Sequence, residues 1–292
     1  NISEGVYIFA NEEAKDIEVV VKSGRKDVTG TVSLELPDGW RAAPASHEVA
    51  LARKGEEASF TFKVLPPKYQ ISGELKAYVT LEDQTYDYSI QSIEYDHIPT
   101  QLMLPKAAAK VVKINIERRG DLIGYIQGAG DAIPAALREI GYDVWEMKEE
   151  EVTPENLAKL DAVVLGVRAL NTNDRVSFYM PHLLEYVKNG GTMVTQYNTS
   201  FRLKTNDFSP YPIKLSRGRV AEEDAQVKIL KPEHELLNVP NKITEKDFEG
   251  WVQERGLYFP GEWDEKYEAL LSSHDEGEED RNGGLLVAKY GK

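Results

Sequence analysis

The chain has no cysteine among its 292 residues, which removes disulfides, thiolate metal sites and a cysteine nucleophile together. That absence leaves the redox compartment open. No apolar run approaches the ~20 residues a membrane-spanning helix needs, and the stretch at 162–165 is among the longest. Positive charge is also short. Against 49 Asp and Glu stand 35 Lys and Arg, and the resulting −14 argues against a nucleic-acid or anionic-membrane partner. The five histidines, His47, His97, His182, His234 and His274, never fall at metal-ligand spacing, so no metal site is expected from sequence neighbours. A leader pattern is missing too: the chain opens on Asn1 and stops soon after a strand-like LLVAKY at 285–290. These ends suggest a piece of a longer protein.

What is present is one change of rhythm. Residues 1–100 hold short candidate strands at 6–9, 17–21, 31–36, 48–51, 59–64, 74–81 and 86–95, separated by turn signals. Val32, Leu34 and Leu36 alternate with polar residues, as do Phe60, Phe62 and Val64. This pattern predicts an all-β immunoglobulin-like sandwich. Residues 101–110, within the two-proline stretch DHIPTQLMLPKAAA, are expected to be a linker. The strand VVKINI (111–116) fits either side of it. Residues 111–292 are expected to form an α/β domain, flavodoxin-like and lacking its C-terminal end.

That domain is organised around LIGYIQGAGD (122–131). An apolar run stops at a Gly-Ala-Gly turn, Asp131 stands where a helix N-cap is wanted, and Ile133, Ala136, Leu137 and Ile140 share a helical face. The strand YDVWEM comes next, giving a β-α-β opening and hence a parallel sheet. Thr153-Pro154 starts a short helix, AVVLGV is a fully buried strand, and Met180, Leu183, Leu184 and Val187 mark a second amphipathic helix before TMVTQY.

Ligands in such sheets sit beyond the carboxyl ends of the strands, which brings Arg168, Asn171, Gln196 and Asn198 toward one rim. Polar residues also simply end strands, so both readings stay open. The GAGD turn has amides for an anion, but Asp131 fills the cap itself and would repel one. The strand end at 196–200 is where α/β hydrolases place a nucleophile. Here it reads Gln-Tyr-Asn-Thr-Ser without G-x-S-x-G, and Ser200 reads as a local hydrogen-bonding residue. His234 has carboxylates on both sides and is a general-base candidate with Glu249 or Glu254 as partner, or else a surface loop histidine. In DFEGWVQERGLYF (247–259), Trp251, Arg255 and Tyr258 combine ring faces and polar groups suited to a sugar, or plug the core under a loop. Arg217 and Arg219 are an anion-site candidate, and the acidic run 275–280 reads as a solvated hairpin tip.

Several strings together, IGYIQGAGD, GVRALNT, YVKNGGTMVTQYNT, PYPIKLSRGRVAEEDAQV, PEHELLNVPNKIT, DFEGWVQERGLYFPGEW and LLVAKYGK, resemble the C-terminal region of large bacterial LmbE-like deacetylases of the GlcNAc-phosphatidylinositol de-N-acetylase family. The resemblance covers most of residues 85–292. The first half is similar to a galactosidase-associated immunoglobulin-like domain, and the second to class I glutamine amidotransferase-like and trehalose-utilisation-like domains. The family's His-Pro-Asp-Asp zinc motif is absent, as is the amidotransferase Cys. The resemblance therefore implies a non-catalytic accessory fragment of a secreted or periplasmic carbohydrate-modifying enzyme. It also implies a carbohydrate ligand, no cofactor, and a zinc-dependent catalytic domain, absent from this chain, as partner. Two rival expectations are a hydrolase working through His234 and Glu254, and a purely structural scaffold or dimerisation module.

Overall fold

Strict alternation of apolar and polar residues builds the first half of the chain. In order, the strands are β1 (Val6–Phe9), β2 (Lys15–Lys22), β3 (Val28–Glu35), β4 (Arg41–Ala43), β5 (Ser46–Leu51) and β6 (Glu57–Leu65). They continue with β7 (Ile71–Leu81), β8 (Gln84–Tyr86), β9 (Gln91–Tyr95), β10 (Ile98–Met103) and β11 (Ala108–Lys113). This computed structural model describes residues 1–82 and 84–292, which divide into two units, Asn1–Ile116 and Glu117–Lys292.

In the first unit one sheet has the order β2-β6-β4 and the other β1-β11-β7-β3-β5, with β8 added to β7. All pairings in the two sheets are antiparallel except β1 on β11. A first strand running parallel to the last, over two facing antiparallel sheets, is an immunoglobulin-like sandwich. Ile17, Val19 and Val21 of β2 and Phe62 and Val64 of β6 point inward against Val32, Leu75 and Val111 of the other sheet. Trp40 closes the core edge-to-face on Phe9, with ring centroids 4.8 Å apart. Each such large side chain contributes about 1.5–3 kcal/mol by leaving water. Two expectations change here. The strand at 86–95 is interrupted, and residues 101–110 carry the end of β10 and the start of β11 rather than a free linker. VVKINI contributes its first residues to β11, a sandwich strand.

The second unit begins with β12 (Leu122–Ile126), α1 (Ile133–Glu139), β13 (Asp143–Met147), α2 (Pro154–Leu157), β14 (Ala162–Leu165), α3 (Ala169–Thr172), α4 (Val176–Lys188) and β15 (Thr192–Thr195). Its four strands are parallel in the order β13-β12-β14-β15. Thr153 caps α2 by accepting from the Asn156 N–H, and Gly190 at φ +105° closes α4. Ile123, Tyr125 and Val164 face Leu137 of α1 on one side of the sheet. On the other side Ile126, Val163 and Leu165 pack with Leu157 of α2 and Val176, Met180 and Leu183 of α4. Gly124 lets Leu160 approach so closely that a Cβ would lie 2.4 Å from its Cδ1.

The α/β rhythm stops after β15. The later strands are antiparallel: β16 (Ile213–Val220), β17 (Lys228–Ile229), β18 (Gly256–Trp263), β19 (Glu268–Ser273) and β20 (Arg281–Val287), paired as β16-β18 and β17-β19-β20. The expected α/β layering of the whole second half is thus confined to its first part. Among the described residues no helix is long and apolar enough to cross a membrane.

Candidate functional site at the carboxyl ends of the parallel strands

The strand order places β13 and β14 on either side of β12, so the crevice between the ends of β12 and β14 is the topological switch point. The chain fills it with its own groups. A Cβ on Gly128 would lie 2.1 Å from the Val167 carbonyl oxygen, and Ala129 N–H donates to that oxygen at 2.8 Å. The Asp131 carboxylate accepts from Val167 N–H (3.0 Å), from Ile133 N–H (2.9 Å) and from the Tyr125 hydroxyl. Gln196 Nε2 donates to the same hydroxyl at 3.3 Å. Burial alone would raise the Asp131 pKa; the bonds from Tyr125, Val167 and Ile133 outweigh it and hold it below the ordinary value. Burial, then Asp131, pushes the Tyr125 phenol well up. Asp131 stands one residue before the observed N-cap, Ala132, and its carboxylate occupies the place an anion would take.

Outside this plug lies an open rim. Arg168, expected there, is exposed and lies three residues beyond the end of β14 at φ +59°. The Tyr258 ring lies 5.9 Å from Tyr197 and 5.8 Å from Phe201, centroid to centroid. Burial, then Tyr258, raises the Tyr197 phenol, Arg168 lowers it and Glu254 raises it, which places all four within electrostatic reach. The Arg168 guanidinium, the Glu254 carboxylate and the Tyr197 and Tyr258 hydroxyls have no hydrogen-bond partner among the described residues. The second unit's non-glycine residues with left-handed backbone are Arg168, Arg202 and Tyr258, all in these rim segments. Such backbone costs roughly 1–3 kcal/mol per residue and collects where chains bind ligands.

The other expected rim residues serve the fold. Asn171 is buried, donating from Nδ2 to the Thr199 (3.3 Å) and Phe201 (3.0 Å) carbonyls and accepting from Thr199 N–H. Asn198 is buried between Leu170 N–H (2.9 Å) and the Gln196 carbonyl (2.8 Å). Trp251 is half exposed, its ring 5.5 Å from Phe248, with the Arg255 guanidinium 5.9 Å above it. Arg255 donates to the carbonyls of Ala225 (2.8 Å) and Phe248 (3.3 Å), which anchors this loop.

His234 caps a short turn: its Nδ1 accepts from Leu236 N–H at 3.2 Å, and neither Glu249 nor Glu254 bonds to it. Ser200 lies beyond β15 and is not itself left-handed; in its loop that backbone falls at Arg202. The acidic run is not a free tip. Asp275 is 7% exposed and binds Arg219 (2.7 Å) and the N–H groups of Ala221 and Glu222, which also takes Arg219 from any anion. No three His, Asp or Glu side chains gather in metal-binding geometry among the described residues.

Tyr197 and Phe201 escaped sequence reasoning because they read as the end of a strand and its turn. The aromatic count near 251–263 pointed only to their partner, Tyr258.

No family model matches this chain, and no curated protein is similar to it. Among solved structures it is similar to WR4, a Caenorhabditis elegans member of the MSP family, with 10% identity over 39% of this chain and 96% of that one, TM-score 0.24. It is similar to an uncharacterized Nocardia farcinica protein with an immunoglobulin-like fold, with 13% identity over 33% and 91% of the two chains, TM-score 0.20. A family 123 glycoside hydrolase from Clostridium perfringens shares 9% identity over 55% of this chain and 33% of its own, TM-score 0.24. These likenesses are low and partial, and the immunoglobulin-like assignment rests on the strand order of the first unit.

Proposed function

We propose that this chain is a non-catalytic, carbohydrate-binding accessory part of a larger carbohydrate-modifying enzyme of the LmbE-like deacetylase kind. The reading rests on one observation. At the carboxyl edge of the parallel sheet, three aromatic rings meet within electrostatic reach of a guanidinium and a carboxylate, and these two groups and the phenols of Tyr197 and Tyr258 have no hydrogen-bond partner among the described residues. Sugar rings present apolar CH faces to such aromatics and a belt of hydroxyls to such polar groups. The parallel sheet is, in this reading, a flavodoxin-like, amidotransferase-like domain with a degenerate site, since the strand end at 196–200 carries neither G-x-S-x-G nor a cysteine. Its catalytic domain lies in the same polypeptide outside this chain, and the protein works in a secreted or periplasmic setting.

Calorimetric titration with chitotetraose tests this. The chain should give saturable heat, and Tyr258→Ala should weaken binding about five- to tenfold, since loss of one stacked ring removes about 1–1.5 kcal/mol. Trp251→Ala, on the neighbouring loop, should weaken it less. Equal affinity in wild type and Tyr258→Ala would overturn the rim as the site.

A further inference from the structure

The second unit also holds a cavity of about 550 Å³ where the start of β16 and the end of β18 meet the loop at 206–212. We infer that this cavity is a second carbohydrate subsite, taking one neutral sugar ring; the inference rests on the carbohydrate-binding reading above. Its volume falls in the range of small-molecule sites, roughly 300–1,000 Å³.

Two rings line it, Tyr211 and Trp263. Tyr211 is fixed before any ligand arrives. Its hydroxyl donates to the Lys289 carbonyl at 3.0 Å, and Tyr267 and Tyr290 meet it edge-on at 6.1 and 5.7 Å. Its own carbonyl accepts from Ser209 Oγ at 2.9 Å. A platform held this way loses little side-chain freedom on binding. Trp263 sits opposite Ile213 in the β16-β18 register, so its position is set by the sheet.

The polar lining consists mainly of acceptors. The Asn206 and Asp207 side chains and one oxygen of Asp264 have no hydrogen-bond partner among the described residues; the other Asp264 oxygen accepts from Lys266 N–H at 3.0 Å. Hydroxyl groups, which donate, satisfy free carboxylate oxygens directly. Three carboxylates line the cavity against two ammonium groups, Lys214, already paired with Glu262 at 3.2 Å, and Lys266, which stands 4.3 Å over one face of the Tyr211 ring. A sugar acid would meet repulsion, so the ring admitted is neutral.

The test is calorimetry on the whole chain with chitotetraose, cellotetraose, maltotetraose and a hyaluronan tetrasaccharide, in wild type, Tyr258→Ala, Trp263→Ala and Asp207→Asn. A neutral tetrasaccharide should bind at two sites in wild type. One site should remain in Tyr258→Ala, and that remaining site should weaken at least tenfold when Asp207→Asn is added. The hyaluronan probe, carrying glucuronates, should give no heat from the site left in Tyr258→Ala. Asp207 is exposed, so its substitution reads the cavity even where Trp263→Ala disturbs β18. One site in wild type, lost in Tyr258→Ala and untouched by Asp207→Asn or Trp263→Ala, would overturn the cavity and leave the rim. One site untouched by Tyr258→Ala and lost in Asp207→Asn would do the reverse. No heat from any probe in wild type would overturn both.

Discussion

Arg168 holds a backbone conformation that costs a residue with a Cβ about 1–2 kcal/mol. Its neighbours impose it: the Arg168 N–H donates to the Tyr197 carbonyl at 2.7 Å, and its own carbonyl accepts from Asn171 and Thr172 at 2.9 and 3.1 Å. No side-chain bond of Arg168 among the described residues offsets the cost. A glycine would adopt the same turn freely, so stability alone would not select arginine here. Arg168→Gly should therefore raise stability by about 0.5–1 kcal/mol, after allowing for the greater chain entropy of glycine. It should also weaken chitotetraose binding, since the guanidinium is an unspent cation within electrostatic reach of Tyr197. Urea melts and calorimetry on one preparation measure both. A variant less stable than wild type would mean that the arginine stem is a packing residue and that the strain has another cause.

At the scale of elements, the segment after β16 is clamped by a single carboxylate. Asp275 receives the N–H groups of Ala221 and Glu222 at 2.7 and 2.9 Å and pairs with Arg219. The Glu222 N–H leads in holding its carboxyl below the ordinary range; burial opposes, and Ala221 and Arg219 add to the lowering. With the folded pKa depressed, the unfolded chain takes up the proton first as pH falls. The clamp's contribution is complete above the unfolded carboxylate value, about 3.9, and is lost as pH drops through the folded one. Asp275→Asn should lower the urea midpoint at pH 7, and its stability should fall less steeply than wild type between pH 4 and 3. Parallel profiles would remove Asp275 from the acid response. This clamp was illegible in the sequence, where Asp275 opens an acidic run like any solvated tip; its partners lie more than fifty residues away. Elements with a clean period were legible: β2, β6, β12, β14 and α4 all follow their apolar spacing. β9 lies within the expected strand at 86–95, whereas β10 was hidden because it buries neither face and so carries no alternation. The rim was half legible. Arg168 and Tyr258 stand out by type and position, whereas Asn171 and Asn198 look like ligand groups but satisfy backbone atoms of their own turns.

For the whole molecule, the balance between charge and exposed apolar surface decides how copies behave. Among the described residues the β9-β10 ribbon pairs only with itself, and Tyr88, Ile90, Tyr95, Leu102, Met103 and Leu104 around it are exposed. Residues 84–105 contain three carboxylates and no Lys or Arg, so the strand edges lack the lysines that usually blunt them. A two-stranded ribbon adds little stability of its own. Its base is held separately, by Ser89 N–H on the Pro105 carbonyl at 2.9 Å and Ala107 N–H on the Asp87 carbonyl at 2.7 Å. A net charge of −14 keeps copies apart while salt is low. At 1 M salt the screening length falls to about 3 Å, and apolar edges can meet. Replacing residues 90–104 by Asn-Gly, a two-residue turn that joins the bonded pair Ser89 and Pro105, should leave the sandwich's stability within about 1 kcal/mol. Sedimentation at 0.05 and 1 M salt should then show wild type associating at high salt and the shortened chain staying monomeric. Equal sedimentation of the two chains at 1 M would place any self-association elsewhere, and a collapse in stability would make the ribbon part of the sandwich's own framework.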